Sequence, residues 1–202
     1  ATYVDDATGL IKTTPVNLTT GSEFTSGWVS SNISLNLNFA SAPNGTNTAS
    51  QLLPPAGFNN LFRRLFNQSA QSGQLTASCY FKPNGYNFAS IGLYNGATYE
   101  SIIANLLTEE VTSVSSTAIP DAYSVTDAGN GWKRLSVTAS TANSYVTLSP
   151  VADASTVIGS NGLHDINSNG TSGVLVWGAQ LEEGTTATPY IKTGSTISGA
   201  AR

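Results

Sequence analysis

LTASCYFKPNG (75–85) is the stretch that decides the fold. Leu75, Ala77, Cys79 and Phe81 alternate with Thr76, Ser78, Tyr80 and Lys82, and Pro83-Asn84-Gly85 ends the run. Successive side chains of an extended chain point to opposite faces, so this run reads as a strand with one apolar and one polar face. The pattern continues on both sides. Ala89, Ile91 and Leu93 alternate with Ser90, Gly92 and Tyr94 before Asn95-Gly96. Upstream, Ile33, Leu35, Leu37 and Phe39 alternate with Ser34, Asn36 and Asn38 before APNGT (42–46). Downstream, Leu135 and Val137 form one short run, Val146 and Leu148 another, and Leu175, Trp177, Ala179 and Leu181 a third. Period two between Gly, Asn and Pro turns predicts an all-β fold: an antiparallel β-sandwich, a jelly roll, with extended N- and C-terminal segments. NNLFRRLF (59–66) and SIIANLLTEEV (101–111) fit either a strand or a helical turn. Neither has a clear N-cap, which favours strands, with room for one short helix. Residues 1–16 read as a docking arm or lead-in strand, 17–193 as the sandwich and 194–202 as a small polar tail.

Composition narrows the function. At 202 residues the chain has the length of one domain. Charged residues are only 10%, against about 25% in ordinary globular proteins, while Ser, Thr, Asn and Gly carry the polarity. The 8 Lys and Arg are scattered and the net charge is -4. Phosphate-tracking surfaces need clustered cations, so nucleic acid is not an expected partner. Nor is a membrane, for no apolar run approaches the roughly 20 residues of a spanning helix. Cys79 is the one cysteine, so neither an intramolecular disulfide nor a cysteine-based zinc cluster is expected. The polar opening ATYVDDATGL lacks a signal-peptide pattern. A start at Ala1 fits removal of an initiator Met or excision from a longer polypeptide.

Catalytic constellations are poor, and no catalytic residue, metal or cofactor is expected. His164, the one histidine, lies in the turn-rich NGLHDINSNG and reads as a solvent-facing loop residue. Asp5-Asp6, Glu109-Glu110 and Glu182-Glu183 are adjacent pairs; on a strand they point apart and read as solvated charges. Asp165, Asn167, Asn169 and Gly170 match the first half of a calcium loop, but its twelfth position falls on Val176, so a turn explains them as well. The N-x-S/T triplets at Asn17, Asn32, Asn44, Asn67 and Asn169 follow from composition alone.

The aromatics point to a surface. Trp177 shares parity with Leu175 and Leu181 and reads as core. Trp132 and Arg134 lie opposite Leu135 and Val137, Tyr80 and Lys82 lie opposite Cys79 and Phe81, and Tyr145 lies opposite Val146. If their strands share a sheet, Trp132, Arg134, Tyr80, Lys82 and Tyr145 form one face of rings, cations and hydroxyls. Such a face suits glycan, with ring stacking on sugar C–H groups and polar groups on hydroxyls.

DAGNGWKRLSVTA (127–139) and NGTSGVLVWGAQLEEGTTATPYIKTGS (169–195) resemble a carbohydrate-binding-module-like jelly-roll domain of tailed-phage structural proteins, of the head spike, head fibre or tail fibre type. ATYVDDATGLIKTTPVNL (1–18), the stretch 24–52 and LTASCYFKP (75–83) fit the same family. Lys133, Lys192 and TTGSEF (19–24) depart from its usual residues. The resemblance implies a virion structural protein made in the host cytoplasm, a capsid fibre, spike or decoration subunit. It also implies a homo-oligomer, a trimer as in other phage fibres, touching other virion proteins and host-surface glycan without catalysis. A tail fibre or receptor-binding domain, a polysaccharide-binding module of a secreted enzyme, and a jelly-roll lyase using Tyr and Lys are the competing readings.

Overall fold

The protein is described by a computed structural model covering residues 2–4, 9–60, 63–68, 73–141, 144–196 and 198–199. The chain opens with a hairpin of β1 (Thr2–Val4) and β2 (Ile11–Thr13), then β3 (Val16–Asn17). The body runs through β4 (Trp28–Ser31), β5 (Ser34–Ala40), β6 (Ala49–Leu53), β7 (Gly57–Asn60), β8 (Arg63–Gln68), β9 (Gly73–Asn84) and β10 (Phe88–Tyr94). It continues through β11 (Tyr99–Asn105), β12 (Val111–Val114), β13 (Ala122–Asp127), β14 (Lys133–Thr141), β15 (Ser144–Val151), β16 (Asp165–Ser168) and β17 (Gly173–Glu183), and β18 (Ser198–Gly199) closes it.

Two six-stranded antiparallel sheets make the sandwich. The first has the order β12-β11-β10-β15-β8-β4 and the second β13-β14-β9-β17-β6-β5. Strands consecutive in sequence cross repeatedly from one sheet to the other, as in β8 to β9 to β10. The apolar side of each predicted run faces the gap between sheets. Leu75, Ala77, Cys79 and Phe81 from β9 and Leu135, Val137 and Ala139 from β14 meet Ala89, Ile91 and Leu93 from β10 and Val146 and Leu148 from β15. Each fully buried Leu, Ile, Val or Phe contributes about 1.5–3 kcal/mol, and this interior is what holds the sheets face to face. Cys79 Sγ donates to the Trp177 carbonyl at 3.3 Å, and burial pushes its thiol pKa far above the usual range.

In the two ambiguous segments the described residues form strands, with a turn at 106–108. β8 takes residues 63–68, β11 takes 99–105, and no helix occurs among the described residues; Leu61 and Phe62 lie outside them. β18 pairs with β3, Ser198 opposite Asn17 and Gly199 opposite Val16. Lys12, Tyr3 and Val4 side chains lie outside what is described.

Two strands depart from simple alternation. In the edge strand β5, register shifts between Asn36 and Ala40, with Asn38 at φ 53. Leu37 and Phe39, which alternation assigned to the apolar face, are consequently 48% and 52% exposed. In β17, Trp177 pairs with Tyr80 and Gln180 with Ser78, so three steps oppose two. This β-bulge inserts Gly178 at φ 63. It reverses parity: Val176, Ala179 and Leu181 face the interior, whereas Trp177 and Leu175 join a second apolar cluster on the opposite side. Trp177 is therefore buried, as expected, but outside the sandwich interior and not beside Leu181.

Candidate functional site

The outer face of the second sheet carries the site. Trp177 on β17, Tyr80 on β9, Arg134 on β14 and Thr126 on β13 are register partners in one row across four strands. Tyr80 meets Trp177 edge-on at 5.3 Å between ring centroids. The Arg134 guanidinium lies 5.2 Å from the Tyr80 ring centroid and Nη2 donates to Ser78 Oγ at 2.9 Å. With Pro43, Asn44, Asp127, Ala128 and Tyr190 the row lines an open depression of about 490 Å³.

Tyr190 arrives from a distant segment, and the conspicuous polar residues of β17 explain how. Past the bulge, Gln180 and Glu182 point outward. Gln180 Oε1 accepts from the Ile191 backbone N–H, and its Nε2 donates to Glu182 Oε2 at 2.8 Å and to the Thr188 carbonyl at 3.3 Å. Glu182 accepts from the Thr188 N–H at 3.1 Å and from its hydroxyl. Residues 188–191 are thereby strapped over the sheet, and the Tyr190 ring sits 4.1 Å from Trp177. Its hydroxyl lies 2.8 Å from Ser22 Oγ and donates to Glu23 Oε1 at 3.4 Å; burial first, then the Glu23 charge, raises its pKa far above the usual range. Only glycine suits the bulge, because a Cβ on Gly178 would stand 3.1 Å from Tyr80 and 3.2 Å from Tyr190 ring carbons at a left-handed φ. Glu182, read from sequence as a solvated charge, is 2% exposed. Its buried oxygens are accounted for by these bonds.

The floor and rim follow the same logic. Trp132 is 1% exposed and packs with Ala42, Ala49, Leu175 and Trp177. Alternation put it on the correct side, but the 42–46 turn and the 188–191 strap cover that side, so Trp132 is a floor residue and offers no open ring face. Asn44 Oδ1 accepts from the Thr46 N–H and hydroxyl at 3.1 and 2.6 Å, shaping that turn. Lys133 ties Asp127 at 2.7 Å and Glu109 at 2.6 Å, and its ammonium holds the Asp127 carboxyl below the usual carboxylate range.

Of the five residues assigned to the face, the structure brings together Tyr80 and Arg134, with Trp132 beneath them. Lys82 donates to the Asn130 carbonyl at 2.8 Å, bracing the 128–131 turn beside the depression. Tyr145 belongs to the first sheet, where it meets Tyr94 at 5.3 Å and Tyr94 meets Tyr99 at 4.8 Å. It cannot join the others, because the sandwich interior separates the two outer faces. Sequence reasoning missed Trp177, Tyr190, Asn44 and Asp127. The one local signal was Gly178 inside an apolar run, which marks a bulge.

His164 also departs from expectation. It is 7% exposed, with Nε2 3.3 Å from Ser149 Oγ and 3.2 Å from the Pro150 carbonyl. Desolvation pushes its pKa down from 6.5. The folded state therefore keeps it neutral where the unfolded chain takes a proton, and its contribution is intact above pH 6.5 and declines as pH falls through and below that value. Urea midpoints at pH 7 and pH 5 should differ more for the wild type than for His164→Gln; equal differences would exclude this residue as the cause. In the half-motif downstream, Asn169 Oδ1 accepts from the Thr171 and Ser172 N–H groups at 2.9 and 2.8 Å, the bonding of an Asx turn. Among the described residues no three His, Cys, Asp or Glu side chains gather into a cation cage.

No protein-family model and no curated protein matches the chain. Solved structures do. The enzymatically active domain of bacteriophage CBA120 tailspike protein 4 aligns at 12% identity and TM-score 0.41, covering 83% of this chain and 21% of that one. The CBM22-1 and GH10 modules of Clostridium thermocellum endo-1,4-beta-D-xylanase 10B, complexed with xylohexaose, align at 11% identity and TM-score 0.41, covering 89% and 30%. The chain spans less than a third of the length of either.

Proposed function

We propose that the depression binds glycan, and that the chain is a non-enzymatic β-sandwich subunit of a phage virion, a head fibre, spike or decoration protein that adheres to the host surface as a trimer. The glycan reading is carried by Tyr80 and Arg134 with Tyr190 close by, both tyrosines backed by the buried Trp177 ring: half-buried rings next to a cation, an amide and a carboxylate, in an open depression. Aromatic rings offer apolar area to sugar C–H groups while the polar rim fixes hydroxyls. The virion and trimer readings rest on the motif blocks 127–139 and 169–195 and on the low surface charge, which lessens desolvation at subunit contacts. Single sites of this open kind bind at millimolar to micromolar strength, about -4 to -8 kcal/mol. Several copies on one particle raise this through effective concentration.

Two measurements, on the wild type and on one double variant, test it. Sedimentation should give the mass of three chains, and host-surface polysaccharide should bind saturably. The double variant Tyr80→Ala, Asn44→Ala should keep that mass and its β-type far-UV spectrum while binding drops at least about tenfold. Unchanged binding in a folded variant places the glycan elsewhere, and a monomeric wild type removes the trimer.

A further inference from the structure

We propose that the glycan taken by this depression is acidic, and that Arg134 is the counter-charge to a sugar carboxylate; this rests on the glycan reading above. A guanidinium carries five N–H donors in a rigid fork. Among the described residues the Arg134 guanidinium makes one hydrogen bond, from Nη2 to Ser78 Oγ at 2.9 Å, and has no carboxylate partner. Its Nε is buried and bonded to nothing. Withdrawing a charged donor from water without an acceptor costs free energy, and native structures leave few such groups.

The Tyr80 ring, 5.2 Å away, meets the cation through its π-face and offers no acceptor lone pair on that side. Arg134 lines the depression, and a carboxylate there would accept charge-assisted bonds from the guanidinium donors that Ser78 leaves free. The other charge on the rim does not compete for Arg134, since Asp127 Oδ1 is held by Lys133 Nζ at 2.7 Å. The half-buried rings of Tyr80 and Tyr190 then make the ligand a sugar acid and not merely a small anion, for a bare anion has no apolar face to lay on them.

The test uses the full chain and a panel of bacterial surface polysaccharides, neutral and acidic, each acidic polymer also in carboxyl-reduced form. Reduction converts uronates to neutral hexoses and leaves the linkages intact. Native acidic polymers should bind at least about tenfold tighter than their reduced counterparts. Binding should weaken as ionic strength rises from about 0.05 to 0.5 M. Arg134→Met should erase the difference between native and reduced polymer, and Arg134→Lys should retain part of it. Should Arg134→Met fail to fold, the polymer pair and the salt series on the wild type decide alone. Equal binding of native and reduced polymers, or preference for neutral ones, overturns the carboxylate and leaves the glycan reading standing. No binding to any polymer overturns both.

Discussion

Trp177→Ala should lose about 3–5 kcal/mol of stability, as large-to-small changes at closed sites do. That is a large part of the 5–15 kcal/mol a domain commonly has. The ring is 2% exposed and is shared by everything that shapes the outer face. Trp132, Leu175 and Ala49 lie in its cluster, Tyr80 and Tyr190 abut it, and its Nε1 donates to Thr48 Oγ1 at 2.9 Å. Removing it leaves a cavity between strap and sheet and takes one of its two partners from the Thr48 hydroxyl. Denaturant unfolding measures the loss, and glycan binding should disappear with it, since Tyr190 and Tyr80 lose their common support. A variant with unchanged midpoint would show that the strap closes over the gap and that the second cluster adds little.

Asn17→Leu should cost about 3–5 kcal/mol by the opposite mechanism, lost hydrogen bonds in a side chain of the same branching and heavy-atom count. Asn17 is fully buried. Its Nδ2 donates to the Ala179 and Ile191 carbonyls at 3.1 and 2.9 Å, while Oδ1 accepts from the Thr19 N–H and hydroxyl at 3.0 and 2.8 Å and from the Leu181 N–H at 3.2 Å. A leucine fills the space and answers none of these groups. The side chain clamps the lead-in strand, β17 and the end of the strap into one unit, so Tyr190 should loosen as well. Thermal melting measures the first effect and glycan affinity the second. If Asn17→Leu melts with the wild type, water or backbone adjustment has replaced the clamp.

Much of this architecture is local enough to read in one dimension. Side-chain parity along β9, β10, β14 and β15 is a property of a single extended chain, and the interior residues Leu75, Cys79, Ile91, Leu135 and Leu148 follow from it without knowledge of neighbours. Turn positions such as 42–46 and 128–131 are likewise written in Asn, Gly and Pro. The same parity correctly set Tyr80, Arg134 and Trp132 on the side away from the interior.

What parity could not supply is everything that depends on another part of the chain. Which sheet a strand joins is a long-range choice, and it separated Tyr145 from Tyr80. Whether an outward face meets water depends on what is laid over it: strapping by Gln180 and Glu182 buried Trp132, and a loop buried His164. A bulge displaces parity by one residue only where two strands must stay in register around it, and at Gly178 it carried Trp177 from the predicted interior to the site. The sequence by itself determined the strands, their apolar faces and the all-β class. The tertiary structure alone decided the site, because a binding surface is made of side chains that are near in space and far apart along the chain, and the pairing and covering energies that bring them together belong to no single segment.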